Sequence, residues 1–154
     1  MIDAPEIVQT EARPAATVRI TVSRREVGQV MDAAIQEVLR ALASQHVPPA
    51  GPLFAHHARI EPEVFVFDVG FPVRAAITPV GRVENTTVPA ARAARTVYTG
   101  PYEGLGAAWG EFLQWIRAQG LTPGPNAWEV YAYGPERTQD PARYRTELVR
   151  PLAG

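Results

Sequence analysis

A chain of 154 residues, 46% hydrophobic and 20% charged, carries enough apolar side chains for one sizeable core. Its formal net charge of −1 offers no clustered basic charge for phosphate, so nucleic acid is not an expected partner. Cysteine is absent and all 15 basic residues are arginine, which excludes disulfides, thiolate metal sites, cysteine nucleophiles and lysine Schiff-base chemistry.

The N-terminal Met1-Ile2-Asp3-Ala4-Pro5-Glu6 is acidic and lacks a secretory pattern, and no apolar run approaches the length of a membrane span. A cytoplasmic protein with no membrane partner is expected. Ala15 to Val22 is rich in β-branched residues and reads as a strand. Ser23-Arg24-Arg25-Glu26 then has the spacing of a reciprocal helix cap, so this serine is better explained by structure than by nucleophilic chemistry. Val27, Met31, Ala34, Ile35, Val38, Leu39 and Leu42 recur at helical spacing until Pro48-Pro49. Leu53 to Ile60 and Val64 to Phe71 read as strands joined by a turn at Glu61-Pro62-Glu63.

After a link between Gly70 and Gly81 the same order returns. Arg92 to Tyr98 is a strand, and Thr99-Gly100-Pro101 opens a helix with the apolar stripe Leu105, Ala108, Trp109, Phe112, Leu113 and Ile116. Gly120 closes it, and Ala127 to Tyr133 and Tyr144 to Leu152 supply two more strands around a polar loop from Gly134 to Arg143. The two copies match in residues as well as in order. Pro14-Ala15-Ala16 and Thr21-Val22 recur as Pro89-Ala90-Ala91 and Thr96-Val97, an offset of 89 − 14 = 75. Ala34, Glu37, Leu39, Gln45 and Pro49 recur as Ala108, Glu111, Leu113, Gln119 and Pro123, an offset of 108 − 34 = 74. One supersecondary unit is therefore used twice within a single domain, repeat one over about 6–73 and repeat two over about 80–152.

The copies diverge at one informative place. The same offset aligns Ala55 with Glu129, and alternation places Glu129, Tyr131 and Tyr133 on one face of their strand and Trp128, Val130 and Ala132 on the other. The apolar set is expected to pack on the helices. That leaves a carboxylate among aromatic rings, opposite Ala55, His57 and Arg59 of the first copy, in a groove on an approximate two-fold axis. Such a face attracts an amphipathic cation, with tyrosine rings adding about 0.5 to 2 kcal/mol of cation–π attraction. Tyr102 at a helix start and Tyr98 at a strand end are further candidates to line it, as are Trp109, Trp128, His57 and Phe67.

Thr99-Gly100-Pro101-Tyr102-Glu103-Gly104-Leu105, Trp128-Glu129-Val130-Tyr131 and Arg145-Thr146-Glu147-Leu148-Val149-Arg150-Pro151-Leu152 resemble signatures of the GyrI-like, or effector-binding, domain family. The likeness runs from about Glu6 to Leu152. It implies an α+β fold: a duplicated, tandem SHS2-like strand-helix-strand-strand unit, with an antiparallel sheet, two helices packed on one face and the ligand groove on the pseudo-two-fold axis. It also implies a stand-alone member that binds hydrophobic, often cationic, multidrug-type compounds.

Two other functions follow from the resemblance. A hydrolase of strained cyclopropane-bearing electrophiles would use Glu129 as acid or base and Tyr131 to polarise the substrate. An inhibitor of a protein such as gyrase would act through exposed surface.

His56 and His57 are adjacent, so on a strand they point to opposite faces and do not readily share a metal. No metal site and no cofactor are expected, and no axial-ligand motif for haem is present. Phe65, Phe67, Val69 and Phe71 alternate with Val64, Val66, Asp68 and Gly70, so that strand is apolar on nearly both faces. It lines either the groove or a homodimer interface. Asp68 and Glu147 read as structural or surface groups.

Overall fold

Strand β1 (Glu6–Gln9) precedes β2 (Arg13–Ser23), α1 (Val27–Ser44), β3 (Phe54–Ile60), β4 (Val64–Pro72) and β5 (Glu84–Val88). Then follow β6 (Arg92–Thr99), a 3-10 turn (Tyr102–Gly104), α2 (Leu105–Ala118), β7 (Ala127–Tyr133) and β8 (Arg145–Pro151). The computed structural model describes residues 2–23, 27–60 and 64–153, the side chains of 23, 27–29, 58–60 and 64–65 excepted. The Ser23 cap and the Glu61-Pro62-Glu63 turn lie outside the described residues. The class is α+β, with eight antiparallel strands and two helices. Among the described residues no helix is long and apolar enough to cross a membrane.

Contacts divide the chain into two units, Glu11–Ala90 and Met1–Thr10 with Ala91–Gly154. In the first, the strand order is β3-β4-β2-β5, every pair antiparallel. Val18, Val69 and Ala55 lie directly opposite one another and are almost fully buried, and Ile20, Phe67 and His57 form the next row. The amphipathic helix α1 packs on β2 and β4. The alternate residues form a polar row. Arg19 donates from Nε and Nη2 to the two oxygens of buried Asp68 at 3.0 and 3.1 Å, and His56 Nδ1 lies 4.0 Å from Asp68 Oδ2. Asp68 is thus held as a structural acceptor.

In the second unit the order is β1-β6-β8-β7. Strands β1 and β5 were not distinguished in the sequence. They pair not with the strand that follows each in the chain but with β6 and β2 respectively. The core gathers Ala94 and Tyr98 of β6, Leu148 of β8 and Ala108, Phe112 and Ile116 of α2. Leu148 stands opposite both Thr96 and Glu129. Directly opposed residues share a face, so α2 covers the side that carries Glu129. The expectation that Trp128, Val130 and Ala132 pack against the helix is therefore reversed: Trp128 is buried on the other face, opposite Val149, while Ala132 is exposed.

A bulge in β7 changes the alternation further. Val130 pairs with Glu147 and Tyr133 with Arg145, so Tyr131 and Ala132 together oppose Thr146. The extra residue turns Tyr133 away from the Glu129 face, to where the Arg145 guanidinium carbon lies 5.4 Å from its ring centroid. The grouping of Glu129, Tyr131 and Tyr133 on one face is corrected accordingly.

The first unit has the same bulge: His57 pairs with Phe67 and Arg59 with Val66. Its place relative to the β7 bulge keeps the offset of 131 − 57 = 74. The first strands do not keep theirs. Val18 stands in one row with Val69 and Ala55 as Thr96 does with Leu148 and Glu129, so Thr96 occupies the place of Val18 and not of exposed Thr21.

Candidate functional site

The site grows from one turn. The ring of Tyr98, 5% exposed at the end of β6, donates its hydroxyl to the Pro101 carbonyl at 2.7 Å. Gly104 packs so closely on that hydroxyl that a Cβ would overlap it, and Gly100 combines φ +146° with the same close approach. Both glycines are needed for the chain to wrap Tyr98. Pro101 stays extended ahead of the 3-10 turn, and α2 begins only at Leu105, four residues later than the proline suggests. This arrangement presents Tyr102 at the mouth of α2.

Glu129 lies within reach of the same helix. Trp109 Nε1 donates to Glu129 Oε2 at 2.7 Å, and the Tyr131 hydroxyl donates to Glu129 Oε1 at 2.8 Å. Each carboxylate oxygen thus receives one short, charge-assisted hydrogen bond from an aromatic donor. Among the described residues no guanidinium is paired with Glu129. The Tyr131 ring meets Tyr102 edge to face, with centroids 5.8 Å apart and planes at 74°. Tyr102 in turn lies 4.9 Å from Tyr144 at 33°.

Burial sets the chemistry of the phenols. Burial, then the Glu129 charge and hydrogen bond, raise Tyr131 well above its ordinary value. Burial, followed by the charges of Glu136, Tyr144 and Glu129, pushes Tyr102 up to about 12. Both therefore remain neutral donors at physiological pH.

Of the residues singled out in the sequence, the structure brings together Glu129, Tyr131, Tyr102 and Trp109. Tyr98 is a core residue that supports the turn. Tyr133 and Trp128 belong to the opposite face of the strand. His57 and Phe67 stand in the other unit, their rings 5.1 Å apart. Burial, opposed by the Asp68 charge, lowers the pKa of the neighbouring His56.

Tyr144 was missed as a wall of the site because only long-range pairing brings it there: its carbonyl accepts from Gly100 N at 2.8 Å. An apolar hollow of about 520 Å³ lies elsewhere, beside Leu39, Leu42, His46 and Pro48 at the end of α1. No convergent set of polar groups lines it, and the chemistry gathered at Glu129 makes that carboxylate the candidate. Among the described residues no cluster of three or more histidines or carboxylates is placed to hold a metal.

The fold is similar to that of the EcmrR C-terminal domain, with a TM-score of 0.85, 16% identity and coverage of 97% of both chains. It is also similar to EcmrR in its DNA complex (TM-score 0.84, 18% identity), where it covers 97% of this chain but 57% of that one. A third likeness is to SAV2435 bound to tetraphenylphosphonium, at a TM-score of 0.63 and 13% identity, over 99% of this chain and 95% of that one. A fourth is to a hydrolase encoded by lin2189 from Listeria innocua, at 0.62 and 13%, over 97% and 91%. At these identities the likenesses are ones of fold. No curated protein matches the chain. A family model does match, over residues 3–153, and by that match the chain belongs to the GyrI-like small molecule binding domain family.

Proposed function

We propose that this chain captures hydrophobic cations, with Glu129 as counter-charge and Tyr102, Tyr131, Tyr144 and Trp109 as aromatic walls. The observation that carries this reading is the pair of hydrogen bonds from Trp109 and Tyr131 to the two Glu129 oxygens. They hold a negative charge in a fixed place without neutralising it. A lipophilic cation gains both the Coulomb attraction and the ring faces, and a carboxylate already oriented loses little freedom on binding.

The reading is supported by the family to which the chain belongs and by the tetraphenylphosphonium-bound relative of the same fold. Titration with tetraphenylphosphonium, followed by tryptophan fluorescence, tests it. Glu129→Gln is expected to weaken binding about tenfold or more, with circular dichroism unchanged. Tyr133→Ala, on the opposite face, leaves affinity as it was. Equal affinity in native protein and Glu129→Gln sinks the reading.

A second reading uses the same contact between the Tyr131 phenol and Glu129. A carboxylate with lone pairs to spare can take a proton from water, and the neutral Tyr131 phenol, once its single O–H turns from Glu129 to the substrate, polarises a strained, cyclopropane-bearing electrophile. Product detected by mass, and lost in Glu129→Gln, distinguishes hydrolysis from stoichiometric capture.

A further inference from the structure

The Tyr102 hydroxyl meets the Glu136 carboxylate beside Gly134 while the Tyr102 ring meets Tyr131, the residue bonded to Glu129, and Glu136 extends the cation site just described, on which this inference rests. We propose that the preferred ligand is a dication, two cationic centres joined by an apolar linker, with one centre at Glu129, the other at Glu136 and the linker against Tyr102.

Gly134 places the second charge. A Cβ there would stand 2.8 Å from the Tyr102 hydroxyl oxygen and 3.2 Å from Glu136 Oε2, so phenol and carboxylate converge on one point of backbone. The other edge of the box is the Tyr131 ring, 5.8 Å from Tyr102, whose hydroxyl is bonded to Glu129. Tyr144, 4.9 Å away, adds a third ring. Aromatic surface therefore runs between two acidic groups, and among the described residues neither is ion-paired.

The field of both carboxylates reaches the Tyr102 phenol, where, after burial, each helps to disfavour a third negative charge. A monocation relieves one end of this arrangement. A dication relieves both, and once the first centre is seated the second binds as an intramolecular event.

The test measures α,ω-bis(trimethylammonium) alkanes of graded linker length against alkyltrimethylammonium ions with the same number of carbons, using native protein, Glu136→Gln and Glu129→Gln. At one linker length the dication is expected to bind about fivefold tighter than its monocation, as one exposed ion pair allows. In Glu136→Gln that ratio falls to about one. No preference at any length, or a preference that persists in Glu136→Gln, overturns the dication inference while Glu129-dependent monocation binding leaves the site itself standing. Failure of every quaternary ion to bind overturns both.

Discussion

Trp109 and Glu129 are joined across 2.7 Å, an indole of α2 donating to a carboxylate of β7 at the place where the first copy of the unit has Ile35 and Ala55. The repeat thus replaces an apolar pair with a donor and an acceptor together. A carboxylate under a helix is tolerated because its oxygens are bonded.

Removing only the donor should expose that dependence. Trp109→Phe keeps an aromatic ring but leaves Oε2 without its indole, and is expected to cost about 1–3 kcal/mol in urea unfolding. Glu129→Leu in the Trp109→Phe background should cost less than the two single changes added. Strict additivity argues that the bond contributes nothing.

The Tyr98 turn makes a separate prediction. Gly104→Ala drives a methyl into the Tyr98 hydroxyl, and overpacking of this kind costs about 1–3 kcal/mol. Tyr98→Phe removes the oxygen that is struck, although its Pro101 hydrogen bond goes with it. The double variant is expected to unfold at a higher temperature than Gly104→Ala alone. If it unfolds lower, the crowding is relieved by some other movement.

Much of this was legible in the sequence where periodicity is strong. Both helices and the six long strands follow from apolar spacing, and the pairing of Glu129 with Tyr131 follows from their separation of two. The inverted face was hidden because Trp128 and Val130 are the apolar residues of that strand, and alternation says which residues share a side but not which side a helix covers. The bulge at Tyr131-Ala132 was hidden as well, since one extra residue resets the alternation without altering composition. Strands β1 and β5 are short, polar outer strands such as Glu84-Asn85-Thr86-Thr87-Val88, whose residues are mostly exposed and carry no apolar period. Tyr144 reaches the site through pairing that local sequence does not encode.

The two buried phenols set a response to alkali. In the unfolded chain they ionise near about 10, while in the folded protein Tyr102 is held up to about 12 and Tyr131 well above its ordinary value. Keeping them neutral contributes stability that is fully present below pH 10 and is lost as pH rises above it, for Tyr102 towards about 12 and for Tyr131 in the same direction. Base titration followed by phenolate absorbance should show late-ionising tyrosines among the five. Tyr102→Phe should remove one late component, and Glu129→Gln should bring Tyr131 downward without restoring it, since burial is the larger cause. Five phenols titrating together near 10 would falsify the buried arrangement.

Thr146 offers the most direct test of the strand register. It is fully buried opposite the bulge, and among the described residues its hydroxyl oxygen has no hydrogen-bond partner. A buried hydroxyl without a partner forfeits its hydration and gains nothing in exchange. Thr146→Val keeps the shape and removes that debit, so the variant is expected to be more stable by about 1 kcal/mol in urea unfolding. The change leaves the backbone pairing of position 146 with Tyr98 and the neighbouring pair of Glu129 with Leu148 in place, so cation binding should follow the native curve. A loss of stability instead would mean that the hydroxyl is bonded in solution, either by a trapped water or by a shifted ladder that places the bulge elsewhere on β7.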